Sequence, residues 1–229
     1  MTMTPSMNEE TWTAVDDYFG EALIPADSTL DQTQRSSLDG GLPSISVSAA
    51  QGKMLYLLAR SISARRILEV GTLGGYSTIW LARAIRSPGT VITLERDPHH
   101  AEVARGNLDR AGVGDLVDVR VGPAADSLAA LAQANPQPFD LVFIDADKAS
   151  NALYFDYAVR LGHPGTVIVV DNVVRGGRVI NGDSRDEGTG GVHRLVDALA
   201  ANPAVDATAI QTVGTKGYDG FILAVINDS

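Results

Sequence analysis

A chain of 229 residues with 45% hydrophobic and 20% charged residues is an ordinary length and composition for one globular α/β domain, and it holds no apolar run of the roughly 20 residues that cross a bilayer. With no cysteine it can build no disulfide framework, thiolate nucleophile or Cys-held zinc site, so any metal must sit on oxygen or imidazole ligands. A net charge of −10 with no offsetting basic run opposes binding to nucleic-acid phosphates and favours small molecules as partners, while an acidic start without a signal-type apolar core points to the cytoplasm.

In chain order, residues 9–23 and 49–62 read as helices separated by a stretch containing Pro and Ser, and residues 1–62 together read as an N-terminal helical cap. From residue 63 onward β-branched runs alternate with helical segments. Strands are expected at 67–70, 91–95, 117–121, 141–145 and 167–171, with helices at 77–85, 98–111, 124–133 and 150–161 between them. Each helix is long enough for a right-handed crossover, so the expected fold is α/β with a mostly parallel, doubly wound sheet. The end departs from this alternation: residues 207–213 and 221–226 flank a short turn and suit an antiparallel hairpin at the sheet edge. One domain spanning residues 1–229 is expected.

The first strand runs into Glu69-Val70-Gly71-Thr72-Leu73-Gly74-Gly75-Tyr76-Ser77, where close glycines let the backbone turn sharply and approach a ligand before a helix begins. The second strand ends in Glu95, an acid placed to accept hydrogen bonds from ribose hydroxyls. The spacing is G-x-x-G-G and not the G-x-G-x-x-G whose second glycine admits a pyrophosphate, and Glu69 would repel a diphosphate while suiting an amino group. S-adenosylmethionine (SAM) is therefore favoured over NAD.

Strand four ends Phe143-Ile144-Asp145-Ala146-Asp147-Lys148 and strand five ends Val170-Asp171-Asn172. Parallel neighbours lie about 4.8 Å apart, so their C-terminal ends would gather Asp145, Asp171 and Asn172 where doubly wound folds bind ligands. Two carboxylates and an amide match a hard cation, Mg²⁺ before Mn²⁺ or Ca²⁺, with positions left open for substrate. Lys148 lies close enough in a tight loop to serve as general base. Arg175, Arg178 and Tyr218 are candidates for the mouth of an acceptor pocket.

These motifs, with the turn at residues 214–220, resemble the cation-dependent O-methyltransferase family that includes caffeoyl-CoA and catechol O-methyltransferases, from about Val47 to the C-terminus. The resemblance implies a Rossmann-like sheet of about seven strands. It also implies SAM contacts at Val47, Glu69, Gly71, Thr72, Ser77, Glu95, Pro123, Ala124 and Asp145, and a divalent metal on Asp145, Asp171 and Asn172. Lys148 would act as base beside Asp145, on a small phenolic acceptor with vicinal hydroxyls, in a homodimer. Two positions depart from the family pattern: Asn151, where many members carry Tyr, and Arg175, where plant members commonly carry Trp. An NAD-dependent oxidoreductase, a non-catalytic cofactor-binding module and a nucleic-acid N-methyltransferase are the alternatives. They are opposed respectively by the glycine spacing, by the intact ligand and lysine set, and by the acidity of the chain.

Overall fold

The structure is a computed structural model and describes residues 8–181 and 186–228; the first seven residues of the expected cap lie outside that range, as do 182–185 and 229. Three helices come first: α1 (Glu9–Leu23), α2 (Ser28–Asp39) and α3 (Ala49–Ser61). Then follow β1 (Arg66–Val70), α4 (Tyr76–Ala84), β2 (Thr90–Glu95), α5 (Pro98–Arg110), β3 (Val117–Val121), α6 (Ala124–Ala134), β4 (Phe139–Ile144), α7 (Asn151–Leu161) and β5 (Gly162–Asp171). The chain closes with α8 (Glu187–Ala200), β6 (Val205–Gly214) and β7 (Gly217–Ile226).

The strands form one seven-stranded sheet in the order β3-β2-β1-β4-β5-β7-β6, parallel from β3 to β5 and antiparallel through β7 and β6, as the alternation and final hairpin predict. Its central strands are apolar on both faces because helices cover both. Leu68, Val70, Val142, Ile144, Ile168 and Val170 face the layer that includes Tyr154, Phe155, Val192 and Leu195. The alternate positions Ile67, Leu141, Phe143, Val167 and Val169 face Leu55, Ile79, Trp80 and Leu81. The period of two puts Glu69 on this second face, in register with Thr93 of β2 and beneath Ser77 and Thr78 of α4.

Two helices escape the sequence reading. α2 falls in the stretch read as a connection, because its sequence is polar and only Leu30 and Thr33 are buried; its start is set instead by Asp27, which accepts the N–H groups of Thr29 and Leu30. α8 is masked by Gly188, Gly190 and Gly191, which lower helix propensity. Gly191 has a packing reason: a Cβ there would stand 1.9 Å from the Lys148 carbonyl oxygen, so its absence lets α8 lie against the turn that carries Lys148. Among the described residues no helix is long and apolar enough to cross a membrane.

Candidate active site

Strand order reverses between β1 and β4, and ligand sites in such sheets open at the C-terminal ends of the strands beside that point. A cavity of about 670 Å³ lies there. Gly71, Thr72, Gly74 and Ser77 of the glycine loop form part of its wall, and Val47, Asp145, Lys148, Asn172 and Arg175 form another part. Gly71 has φ +103° and a Cβ on it would stand 2.1 Å from the Asp145 carbonyl oxygen, so no other residue fits where β1 leaves β4. Asn107 of α5 donates to the Gly74 carbonyl at 2.8 Å and holds the loop from below.

Glu69 lies one hydrogen bond behind the cavity wall. It is fully buried, and its carboxylate accepts from the hydroxyls of Ser77, Thr78 and Thr93. Burial pushes its pKa up to about 7 against those three donors, and the charge of Asp145 adds to the rise. Glu95, also buried, accepts from the backbone N–H groups of Thr72 at 3.2 Å, Leu73 at 2.8 Å and Asp97 at 3.0 Å. It therefore shapes the glycine loop directly, a role the sequence reading did not assign. Glu95, Pro123 and Ala124 lie along the same sheet edge but outside the wall of the large cavity, with the Gly122 N–H bonded to the Glu95 carbonyl at 2.9 Å.

The second cluster forms where β4 and β5 end side by side, Ile144 pairing with Val170. Asp145 follows immediately and accepts the Lys148 ammonium at 2.8 Å. Lys148 stands in a short turn (Lys148–Ser150) begun by Asp147, which accepts the Ser150 N–H and the Tyr154 hydroxyl. Asp171 is 5% exposed, and its two oxygens accept from the Asn172 N–H at 2.8 Å and the Gln51 amide at 2.6 Å. Burial and the neighbouring Asp145 push its carboxyl up to about 7, against the pull of Lys148, Asn172 and Gln51. Asn172 adopts φ +57°, a left-handed conformation that Asn tolerates well, and it lines both the large cavity and a second one of about 250 Å³. Asp171 and Gln51 line that smaller cavity too.

Among the described residues no three His, Cys, Asp or Glu side chains form a metal-holding group. The predicted set has two acids and one amide, and those two carboxylates do sit at adjacent strand ends with their charge only partly offset. That donor chemistry fits a hard divalent cation. Arg175 reaches the large cavity, whereas Arg178 and Tyr218 lie outside both cavity walls. Four further contributors carry no motif signal: Gln34 and Ser37 on α2, Gln51 on α3 and Asp219, whose carboxylate accepts the N–H groups of Val174, Arg175 and Gly220 and fixes the segment after Asn172.

Comparison with known proteins matches this arrangement to one family. The sequence profile of the O-methyltransferase family matches residues 23–225. A catechol O-methyltransferase of Mycobacterium tuberculosis is 53% identical over 212 residues, which is 93% of this chain and 94% of that protein. One from Niastella koreensis is 48% identical over 220 residues, 96% of this chain and 100% of that protein. Among solved structures, the O-methyltransferase from Bacillus cereus in complex with SAH matches with a TM-score of 0.95 at 53% identity, over 96% of this chain and 100% of that one. TomG from Streptomyces achromogenes, in complex with SAM, matches at 0.93 and 49% identity over 97% and 100%. Fold, glycine loop and relatives agree: the chain belongs to the O-methyltransferase family and is a SAM-dependent O-methyltransferase.

Proposed function

We propose that this methyltransferase acts on small phenolic acceptors with two vicinal hydroxyls, using a divalent cation, Mg²⁺ first and Mn²⁺ or Ca²⁺ as substitutes, held by Asp145, Asp171 and Asn172. The observation that carries the reading is the pair of carboxylates at adjacent strand ends, at the junction of a large cavity beside the glycine loop and a smaller one. Two relatives named catechol O-methyltransferase at about half identity support it.

When bound, the cation would hold two vicinal oxygens and lower the pKa of one, and SAM would supply the methyl group. This chain's own residues do the rest. Lys148, hydrogen-bonded to Asp145 at the cavity wall, would take the proton of the acceptor hydroxyl as a neutral amine, once the ammonium has given up its own proton to solvent. Val47, Gly71, Thr72 and Ser77 would form the cofactor wall, with Glu69 and Glu95 holding that wall in shape from behind and Pro123 and Ala124 further along the same sheet edge. Orienting nucleophile and methyl group in this way can contribute several kcal/mol, about 7–11 in favourable intramolecular cases.

The reading of residues 1–62 and 63–229 as one domain is supported by the cap, which supplies Val47, Gln34 and Ser37 to the cavity that the glycine loop also lines. A homodimer is supported by α1, which buries none of its residues and leaves Tyr18, Phe19 and Leu23 exposed, the last two lining one groove with Leu57 of α3. Light scattering across a dilution series tests that, a monomer at every concentration being the contrary result. The acceptor is tested with labelled SAM at saturating Mg²⁺ against a catechol and its two single-hydroxyl analogues. Catechols are expected to react and monophenols to react poorly; equal rates would rule out chelation.

A further inference from the structure

We propose that Gln51 is a positioning residue for Asp171: it sets the carboxylate that lines the smaller cavity in the orientation a cation needs, and does so from the N-terminal cap. The inference rests on the cation reading above and goes beyond its three ligands.

The geometry begins at Ser48, whose hydroxyl accepts the Gln51 N–H at 3.2 Å and starts α3. That cap puts Gln51 in the first turn of the helix. Its Nε2 then donates to Asp171 Oδ2 at 2.6 Å while the Asn172 N–H donates to Oδ1 at 2.8 Å. One N–H on each oxygen stops the carboxylate from rotating and leaves each oxygen further lone-pair capacity. The helix backbone is held close here, because the next residue, Gly52, lies so near Trp80 that a Cβ would stand 2.4 Å from its ring. The helix is seated on α4 at this point.

The residue type matters as well. A Lys here would add a positive charge competing with a cation, and a Glu would add a third carboxylate to Asp145 and Asp171. An amide donates without changing the charge of the site. The same short segment also reaches the cofactor side, since Val47 lines the large cavity while Ser48 and Gln51 line the small one. Groups that orient a ligand in this way typically change metal affinity by about 10–100-fold when removed.

The test is Mn²⁺ binding to the full-length protein, followed by the electron paramagnetic resonance signal of free Mn²⁺, for the wild type and Gln51→Leu. Gln51→Met, which keeps an unbranched chain and helix propensity, serves as a second variant if the first fails to fold. The Mn²⁺ dissociation constant is expected to rise about 10-fold or more, with SAM affinity by calorimetry unchanged. Saturating Mn²⁺ should return kcat to near the wild-type value, so that the loss appears in the KM for metal. Unchanged Mn²⁺ affinity, or a kcat that stays depressed at saturating Mn²⁺, overturns the positioning role. A wild type that binds no Mn²⁺ overturns the cation reading itself, and this inference with it.

Discussion

The two halves of the active site handle buried acid in opposite ways. On the cofactor side, Glu69 takes three hydroxyl donors and Glu95 three backbone N–H groups, so folding alone satisfies both. On the acceptor side, Asp145 and Asp171 stand at neighbouring strand ends with one ammonium, one amide and one backbone N–H between them. Buried charges persist when paired or hydrogen-bonded. The first half is therefore a finished scaffold, and the second is the one that the proposed cation would complete with a further positive charge.

Breaking the acceptor half should produce the largest effects. Exhaustive chelation is expected to abolish turnover while SAM affinity, measured by calorimetry, stays nearly intact; full activity after chelation would remove the roles given to Asp145, Asp171 and Asn172. Lys148→Ala should lower kcat on the order of 10²-fold or more, without rescue by added cation, if the lost group is the proposed proton acceptor. Asp171→Ala should instead regain part of its activity as the cation is raised, since what it loses is affinity. Identical responses of the two variants to metal would merge roles that are separated here.

The next effect probes how the acceptor half is held. Gly191 packs directly against the Lys148 carbonyl, and an added methyl group must move the Lys148 turn or α8. Gly191→Ala should cost about 1–3 kcal/mol of stability through overpacking. Displacing Lys148 should lower kcat by about 10- to 100-fold, given the sensitivity of catalysis to misplacement near 1 Å. SAM affinity should hold, because the glycine loop is fixed by Glu95 and Asn107. Steady-state kinetics with calorimetry would check the split, and an unchanged kcat would show that α8 does not position Lys148.

A smaller effect sharpens the cofactor half. Burial raises the Glu69 pKa to about 7 in the folded protein from 4.5, so between those values the native state binds more protons than the unfolded chain. Stability from this group is thus lost as pH rises from about 4.5 through about 7. Asp171, also raised to about 7, contributes with the same sign. Thermal melts of the ligand-free protein should show lower Tm at pH 8 than at pH 5.5, and Glu69→Gln should flatten that slope without removing it. A wild-type slope of the opposite sign would contradict the burial argument.

How much of this was written in local sequence depends on where each interaction ends. Strand ends announce themselves, since apolar β-branched runs stop at Glu95, Asp145 and Asp171, and glycine at residues 71, 74 and 75, just after Val70 ends β1, marks a loop built for close approach. Sheet order and the final hairpin follow from alternation. Gln51 and Asp219 carry no such mark, because their partners are 120 and 45 residues away in sequence. α2 hides for a different reason: it is held by the Asp27 cap and by packing against α5 and α4, with too few buried residues to give a period. The position of Glu95 suits it to ribose hydroxyls, whereas its bonds to Thr72 and Leu73 depend on how the loop folds back, which spacing does not encode.

The smallest expected effect belongs to the opposite edge of the sheet, where charge pairs carry structure and no chemistry. Asp140 at the start of β4 accepts the Arg65 and Arg66 N–H groups at 2.7 and 2.8 Å and His163 Nε2 at 3.0 Å. Burial alone would raise its carboxyl, but these donors outweigh burial and hold it below the usual range, while the bond to Asp140 raises His163 above 6.5. A raised histidine adds stability that is fully present below its unfolded pKa and is lost as pH climbs through the folded one. The pair is 40% exposed at His163 and 29% at Asp140, so solvent screening keeps its worth within about 1 kcal/mol. His163→Ala should lower Tm slightly at pH 6 and hardly at all at pH 9, with kcat and SAM affinity unchanged, because the residue lies at the far end of the strands from Lys148. A drop in kcat would mean that the two edges of the sheet are coupled, and that the acceptor half depends on more than the contacts around Asp145 and Asp171.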